Sequence, residues 1–329
     1  MTTITPNCSI APFFNTRYPR ILFVMRFPRF PKPCSLLIFP FVFACLCSAA
    51  TTPAPIHKPC GSGFTLQVNA GSAVQGSLLL VKVEGKKPLP EMKSEWDGKG
   101  IPLWHERGDA TALHGLLGID LELHPAPYEW KVMWTGADGT AQSCSVSLVV
   151  RAGKFATERL KVENQFVQPD PEQQKRAEAD QKKMRAIYDT VTPEQLWSGK
   201  FRLPLKGVTT GGNFGRRRVL NGQPRSPHTG VDFPAMAGTA VYASQSGNVV
   251  LAEELYYAGN TVVIDHGYGI YTMYAHLSAI GVHAGDKVEA GAEVGKVGAT
   301  GRVTGPHLHW GVTIQHARVN GLNLVQREP

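Results

Sequence analysis

No Cys-x-x-Cys pair occurs among the six cysteines of this 329-residue chain, so cysteine–zinc and thioredoxin-like readings have no foundation. The body of the chain has no run of 18 uninterrupted apolar residues, which excludes a polytopic membrane protein. Glycine (34) and proline (24) follow no period, which excludes collagen. Acidic residues are missing from the whole beginning of the chain: the first is Glu84, whereas Arg17, Arg20, Arg26, Arg29 and Lys32 all precede it. The formal net charge of +8 is therefore unevenly spread. Setting residues 1–50 aside leaves 29 basic against 26 acidic residues, a net of +3, and no nucleic-acid partner is expected. What is present is ordinary for a folded protein: 43% hydrophobic residues exclude disorder over most of the chain, and the length suits two domains.

Residues 25–50 read as a secretory signal peptide. Arg26, Arg29 and Lys32 form its positive region, residues 34–47 (CSLLIFPFVFACLC) its apolar stretch, and Ser48, Ala49 and Ala50 the small residues for cleavage near position 50. Met25 stands immediately before and offers a second start, so the segment to be lost is 1–50 as given, or 25–50 from that start. The alternatives are an uncleaved anchor, for which the apolar run is short, and a lipoprotein, for which residues 42–45 (VFAC) are a weak match. The expected location is the periplasm or another extracytoplasmic part of the envelope, with no membrane span after cleavage. Four cysteines fall in the segment to be lost. The remaining two, Cys60 and Cys144, are expected to form one disulfide in an exported chain.

Beyond a Pro-rich lead-in (51–59), residues 60–152 alternate in short apolar runs such as 64–68 (FTLQV) and 128–134 (YEWKVMW), broken by Gly, Pro and Asp. This pattern predicts a small β-sandwich-like domain. Residues 153–200 read as a helical connector. One helix starts at Asp170–Pro171, with Asp as N-cap, and a second start is expected at 192–195 (TPEQ). Its mixed charge is expected to face solvent. Residues 201–329 return to short strands joined by Gly turns and predict an antiparallel β core. The class is mainly β, and residues from about 194 onward are expected to fold and act alone.

Histidines concentrate in this last region. His228 and Asp232 are spaced to share one face of an extended chain. His307 and His309 also share a face, with Leu308 and Trp310 turned to the other side. His276 follows Tyr274 near the end of a strand. A carboxylate with two imidazoles is the three-ligand set of a catalytic zinc site, its fourth position left for water. Two histidines then remain for proton transfer and oxyanion stabilisation. Spacing alone does not choose between His307 and His309 as the ligand. His266 is read as structural, His283 and His316 as exposed. Arg216, Arg217 and Arg218 are read as a basic rim with one ion pair, and Glu253 and Glu254 as a surface pair.

Residues from about 201 to 324 resemble the lysostaphin/LytM-type zinc metallo-endopeptidases. The resemblance is carried by 214–217 (FGRR), 226–232 (SPHTGVD), 238–243 (GTAVYA), 266–269 (HGYG), 274–277 (YAHL), 285–288 (GDKV) and 300–310 (TGRVTGPHLHW). It implies a β groove with one zinc ion that cuts peptide bonds in peptidoglycan stem peptides or cross-links. It implies His228, Asp232 and His309 as zinc ligands and His276 and His307 as the catalytic pair. Two rivals are a non-catalytic wall-binding or hydrolase-activating relative, which typically lacks ligands, and a phosphocarrier, which needs neither Asp232 nor export. The role of residues 60–152 is open; modulation of access to the groove is the expectation.

Overall fold

The computed structural model describes residues 54–326 apart from 62, 107 and 210. These belong to one compact unit, Thr51–Pro329. Residues 1–50, with the expected signal segment and four cysteines, lie outside the described residues. Among the described residues no helix is long and apolar enough to cross a membrane.

The N-terminal body is two packed sheets. One orders Ile56–Cys60, Phe64–Val68, Leu78–Gly85 and Ala112–Gly118; the other orders Ser72–Val74, Ala141–Arg151, Pro127–Thr135, Met92–Trp96 and Lys99–Ile101. Period-2 burial is clear in Phe64–Val68, where Phe64, Leu66 and Val68 point inward. They meet Trp130, Val132, Val146 and Leu148 of the other sheet in one buried cluster. Cys60 and Cys144 are joined, tying the two sheets across 84 residues of chain. Closing a loop of that length contributes on the order of 4 kcal/mol in the chain-entropy view.

The C-terminal body is a nine-stranded antiparallel sheet whose central order is Gly230–Pro234, His307–Ile314, Ile270–Ile280, Gly259–Asp265, Gly247–Leu255 and Lys287–Val288. One face buries Val231, Phe233, Tyr274, Leu308 and Trp310. Leu78, Trp104 and Leu116 of the sandwich join that same core, and Trp104 stacks on Tyr268 at 5.3 Å. Arg318 locks the contact: its Nε and Nη2 donate to the two carboxylate oxygens of Asp120 at 2.9 and 2.7 Å. The carboxyl of Asp120 is buried, which by itself raises its pKa, but the hydrogen bonds from Arg318 outweigh this and hold it below the usual value.

The stretch between 153 and 200 holds one helix, Pro171–Tyr188, with the expected cap: Asp170 accepts from the Gln173 amide while Gln173 reaches back to the Asp170 amide. The second helix expected at 192–195 does not form. Thr192 instead donates its hydroxyl to Asp265, its carbonyl accepts from Tyr268, and the Leu196 amide donates to His266. These bonds hold the segment extended across the sheet and seat Trp197 in the core.

Nor is the stretch a detached spacer. Thr157–Leu160 pairs in parallel with Arg217–Leu220. Met184, Ile187 and Tyr188 pack on Leu251, Leu255, Val263 and Tyr271. Lys183 and Arg176 pair with Glu253 and Glu254, so those two acids anchor the helix rather than standing free. A cut at 194 removes Met184, Ile187 and Tyr188 from this cluster, which bears against the expectation that residues from 194 onward fold alone. A chain starting at Glu194 is expected to melt at a lower temperature and less cooperatively than the chain starting at Thr51, which keeps both the helix and the sandwich contacts; calorimetry on the two chains checks this.

Candidate metal centre and active-site groove

Each candidate residue is delivered by a specific backbone feature. Asp232 and His309 are direct cross-strand partners, and Ala275 lies opposite His309 on its other side. Cross-strand neighbours on one face bring their side chains together. His307, paired with Pro234, sits two residues away on the same face, while Leu308 and Trp310 are fully buried on the other. His228 lies just before its strand and is fixed by backbone bonds to 215–216: its amide donates to Arg216 and its carbonyl accepts from Gly215.

His276 depends on an irregularity. Its strand does not end there but runs on to Ile280. Between the pairs Val262–Tyr274 and Asn260–Leu277 the register shifts, so Ala275 and His276 together face one partner residue. His276 has φ of 63°, a left-handed conformation rare for a non-glycine residue. Strict alternation would put it on the core side with Tyr274; the bulge turns it toward the groove. Its ring centroid lies 4.9 Å from that of His307 and 5.8 Å from that of His309.

Three ligand atoms converge. Nε2 of His228 is 2.8 Å from Nδ1 of His309 and 3.0 Å from Oδ1 of Asp232; Nδ1 of His309 is 3.1 Å from the same oxygen. Burial, above all, lowers the pKa of His228 to about 4, so the ring is neutral at pH 7. Burial also raises the pKa of Asp232, but hydrogen bonds from the two histidines outweigh it and hold the carboxyl far below its usual value. With Asp232 ionised, no placement of protons satisfies all three contacts, because each nitrogen carries either one proton or one lone pair. A cation among them satisfies all three at once. Tetrahedral zinc ligands at the usual bond lengths stand roughly 3.3 Å apart, close to the spacing found. The donor set therefore fits zinc, and it is the one such group of His, Cys, Asp and Glu among the described residues.

His276 and His307 stand outside this set with fixed tautomers. Nδ1 of His276 donates to the Thr300 carbonyl at 2.9 Å and Nδ1 of His307 to the Gly305 carbonyl at 2.8 Å. Since a carbonyl only accepts, each ring in its neutral form carries its proton on Nδ1 and its lone pair on Nε2. Nε2 of His307 is 3.7 Å from Oδ1 of Asp232. Burial first, and then the nearby His309 and His307, lower the pKa of His276 to about 3.

Several supporting residues are not marked by the histidine spacing. Asn213 donates from Nδ2 to Oδ2 of Asp232 at 3.1 Å, and an Arg218 nitrogen lies 4.0 Å from that oxygen, leaving Oδ1 for the ligand triangle. Arg218 thus belongs to the centre, while Arg216 pairs with Glu158 at 3.2 Å. His266 is structural as read: buried, with Nδ1 against the Ser246 carbonyl and Nε2 against the Thr272 hydroxyl. His283 is exposed, and His316 lies at the surface 3.5 Å from Asp189.

Gly230 sits directly beneath the His309 ring, and a Cβ there would stand 2.6 Å from its Cε1 and Nε2. Gly230→Ala is expected to displace that ring and lower zinc occupancy to less than about half while leaving the far-ultraviolet circular dichroism unchanged. Metal content against protein concentration checks it.

The groove has two parts. A cavity of about 650 Å³ reaches from His309 to the helix Pro171–Tyr188, which lines it with Gln174, Glu178 and Gln181. A smaller one of about 240 Å³ holds Asp232, His276 and His307 with Glu158 and Arg218. The polar helix face expected to meet solvent is thus a wall of the groove. No residue of the sandwich lines either cavity among the described residues.

Residues 226–321 match the model of Peptidase family M23. The peptidoglycan DD-endopeptidase ShyA of Vibrio cholerae is 47% identical over 111 residues, 33% of this chain and 26% of that protein. The DD-carboxypeptidase/endopeptidase Mpg of Neisseria meningitidis is 46% identical over 94 residues, 29% of this chain and 20% of that protein. The chain thus spans about a quarter of the length of these relatives. A crystal structure from Pseudomonas aeruginosa, assigned to peptidase M23, matches with a TM-score of 0.55 and 28% identity. It covers 77% of this chain and 94% of that one, so the likeness takes in both bodies.

Proposed function

We propose that the chain, whose residues 226–321 match the model of peptidase family M23, is an exported zinc endopeptidase that hydrolyses peptide bonds in peptidoglycan stem peptides or cross-links. The observation that carries this reading is the convergence of His228, Asp232 and His309 within a groove that also holds two histidines of fixed tautomer. The activities named for ShyA and Mpg support the substrate class, and such a substrate places the enzyme outside the cytoplasm, in accord with the N-terminal sequence.

His228, Asp232 and His309 hold one zinc ion, with Asn213 and Arg218 orienting the carboxylate. The ion, when bound, supplies Lewis-acid polarisation of a carbonyl and an acidified water. The peptide lies in the groove between the helix Pro171–Tyr188 and the loop 298–306. His276 and His307 present Nε2 lone pairs at the groove floor. One accepts a proton from the attacking water at Nε2 and delivers it to the leaving amine; the other takes up a proton from solvent at Nε2 and donates a hydrogen bond from it to the developing oxyanion. Their Nδ1 protons stay on backbone carbonyls throughout, so neither ring changes orientation.

Purified peptidoglycan incubated with the zinc-loaded protein is expected to lose cross-linked muropeptides and gain monomers with new amino termini, read by mass spectrometry. Unchanged cross-linking, or cleavage confined to glycan bonds, overturns the reading.

A further inference from the structure

Four guanidinium groups line the two parts of the groove, and they differ in what satisfies them. Arg318 is held by Asp120. Arg218 has carboxylates of Glu158 and Asp232 within 3.9 and 4.0 Å. Arg225 donates to neutral acceptors, the Val167 and Pro224 carbonyls and the Gln223 side chain. The Arg302 side chain has neither a carboxylate nor a hydrogen-bond acceptor among the described residues. It lies over the ring of Tyr257, its guanidinium carbon 4.5 Å from the centroid.

Arg302 is half-buried, and burial lowers its pKa. A cation withdrawn from water with no anion beside it is unfavourable unless something compensates. Stacking on an aromatic ring compensates in part and holds the planar fork in place.

Its position matters as much as its charge. Arg302 lines both parts of the groove: the larger with Arg225 and His309, the smaller with Asp232, His276 and His307. Its amide donates to the Tyr257 carbonyl at 2.9 Å. Two residues before it, the Thr300 carbonyl accepts from Nδ1 of His276 and the Thr300 hydroxyl donates to the Leu277 carbonyl. Between them Gly301 abuts the Gly259 amide, where a Cβ would come within 2.4 Å. The loop therefore fixes the guanidinium relative to the catalytic histidines.

We infer that Arg302, with Arg225 as a second cation on the same wall, recognises an ionised carboxylate of the peptide substrate and so determines which acidic peptides are cleaved. The inference rests on the endopeptidase reading above. A guanidinium fork matches a carboxylate in bidentate fashion, and a preformed, stacked fork loses little freedom on binding.

The probe is a cross-linked peptide dimer released from peptidoglycan, compared with the same dimer after its carboxylates are converted to carboxamides. Zinc-loaded wild type, Arg302→Gln and Arg302→Lys are assayed on both. Wild type is expected to lose roughly 10–100-fold in kcat/KM on amidation, the usual size for a charge-assisted hydrogen bond. Arg302→Gln loses a similar factor on the free-carboxylate dimer and is indifferent to amidation, and Arg302→Lys falls between. Equal loss by Arg302→Gln on both dimers, or a wild type indifferent to amidation, overturns the inference. If wild type cleaves neither dimer, the endopeptidase reading has failed instead. Calorimetric binding of the two dimers then decides the role of Arg302 by the same coupling, and no coupling overturns it.

Discussion

Asp232→Ala is expected to leave the purified protein without zinc and to reduce peptidoglycan hydrolysis by at least about 10³-fold, since a bound metal contributes several kcal/mol to the barrier at 1.36 kcal/mol per decade. The reason lies in the triangle of ligand atoms. Asp232 supplies its one anionic corner, held ionised by hydrogen bonds from His228 and His309 that outweigh its burial. Without it, two imidazole nitrogens 2.8 Å apart remain, with no negative charge to offset a divalent cation. Asp232→Asn keeps the shape and the bond from Asn213 but loses the charge, and is expected to bind zinc more weakly than wild type. Elemental analysis of the three proteins after dialysis reads this directly. Full zinc occupancy in Asp232→Ala would remove Asp232 from the ligand set.

The second large effect separates metal binding from chemistry. His276→Ala and His307→Ala are each expected to retain about one zinc per chain and a wild-type melting temperature within a few degrees, while losing at least roughly 10²-fold in rate. Neither ring belongs to the ligand triangle, and each is held through Nδ1 by a backbone carbonyl. The substitution removes the ring with its proton-accepting lone pair on Nε2 and its bond to a backbone carbonyl, and leaves the three ligand side chains in place. The loss should appear in kcat with little change in KM, because the substrate's other contacts are untouched. A variant that hydrolyses muropeptides at the wild-type rate would strip that histidine of its role. One that loses its zinc would show that it supports the ligands rather than the chemistry.

Much of this arrangement is written in the sequence, and for identifiable reasons. The pair His307 and His309 reads directly from alternation, since the strand His307–Ile314 is regular and its partners Leu308 and Trp310 fill the core. The sandwich strands Phe64–Val68 and Pro127–Thr135 show the same clean period. The helix start at Asp170 is legible because its cap is local, requiring only residues 170–173.

What alternation does not reach is set by long-range contacts. His276 faces the groove only because of a bulge whose positive φ no periodicity encodes. The segment at Thr192 carries a helix-start pattern but is held extended by bonds to Asp265, Tyr268 and His266, over 70 residues away. Asn213, and Arg218 in the short strand Arg217–Leu220, reach Asp232 with no spacing relation to it. The helix Pro171–Tyr188 has mixed charge along its length, which suggests a solvated face. Its role as groove wall follows from Met184, Ile187 and Tyr188 packing onto a sheet surface formed some 70–90 residues later.

The zinc-hydrolase account meets its most direct test in one titration. The protein is stripped of metal by a chelator, freed of the chelator, and assayed on purified peptidoglycan as zinc is added in fractions of an equivalent. The account predicts no release of cross-linked peptides at zero zinc, a linear rise, and a plateau at about one zinc per chain. Hydrolysis by the metal-free protein, or a plateau reached only well beyond one equivalent, would contradict it.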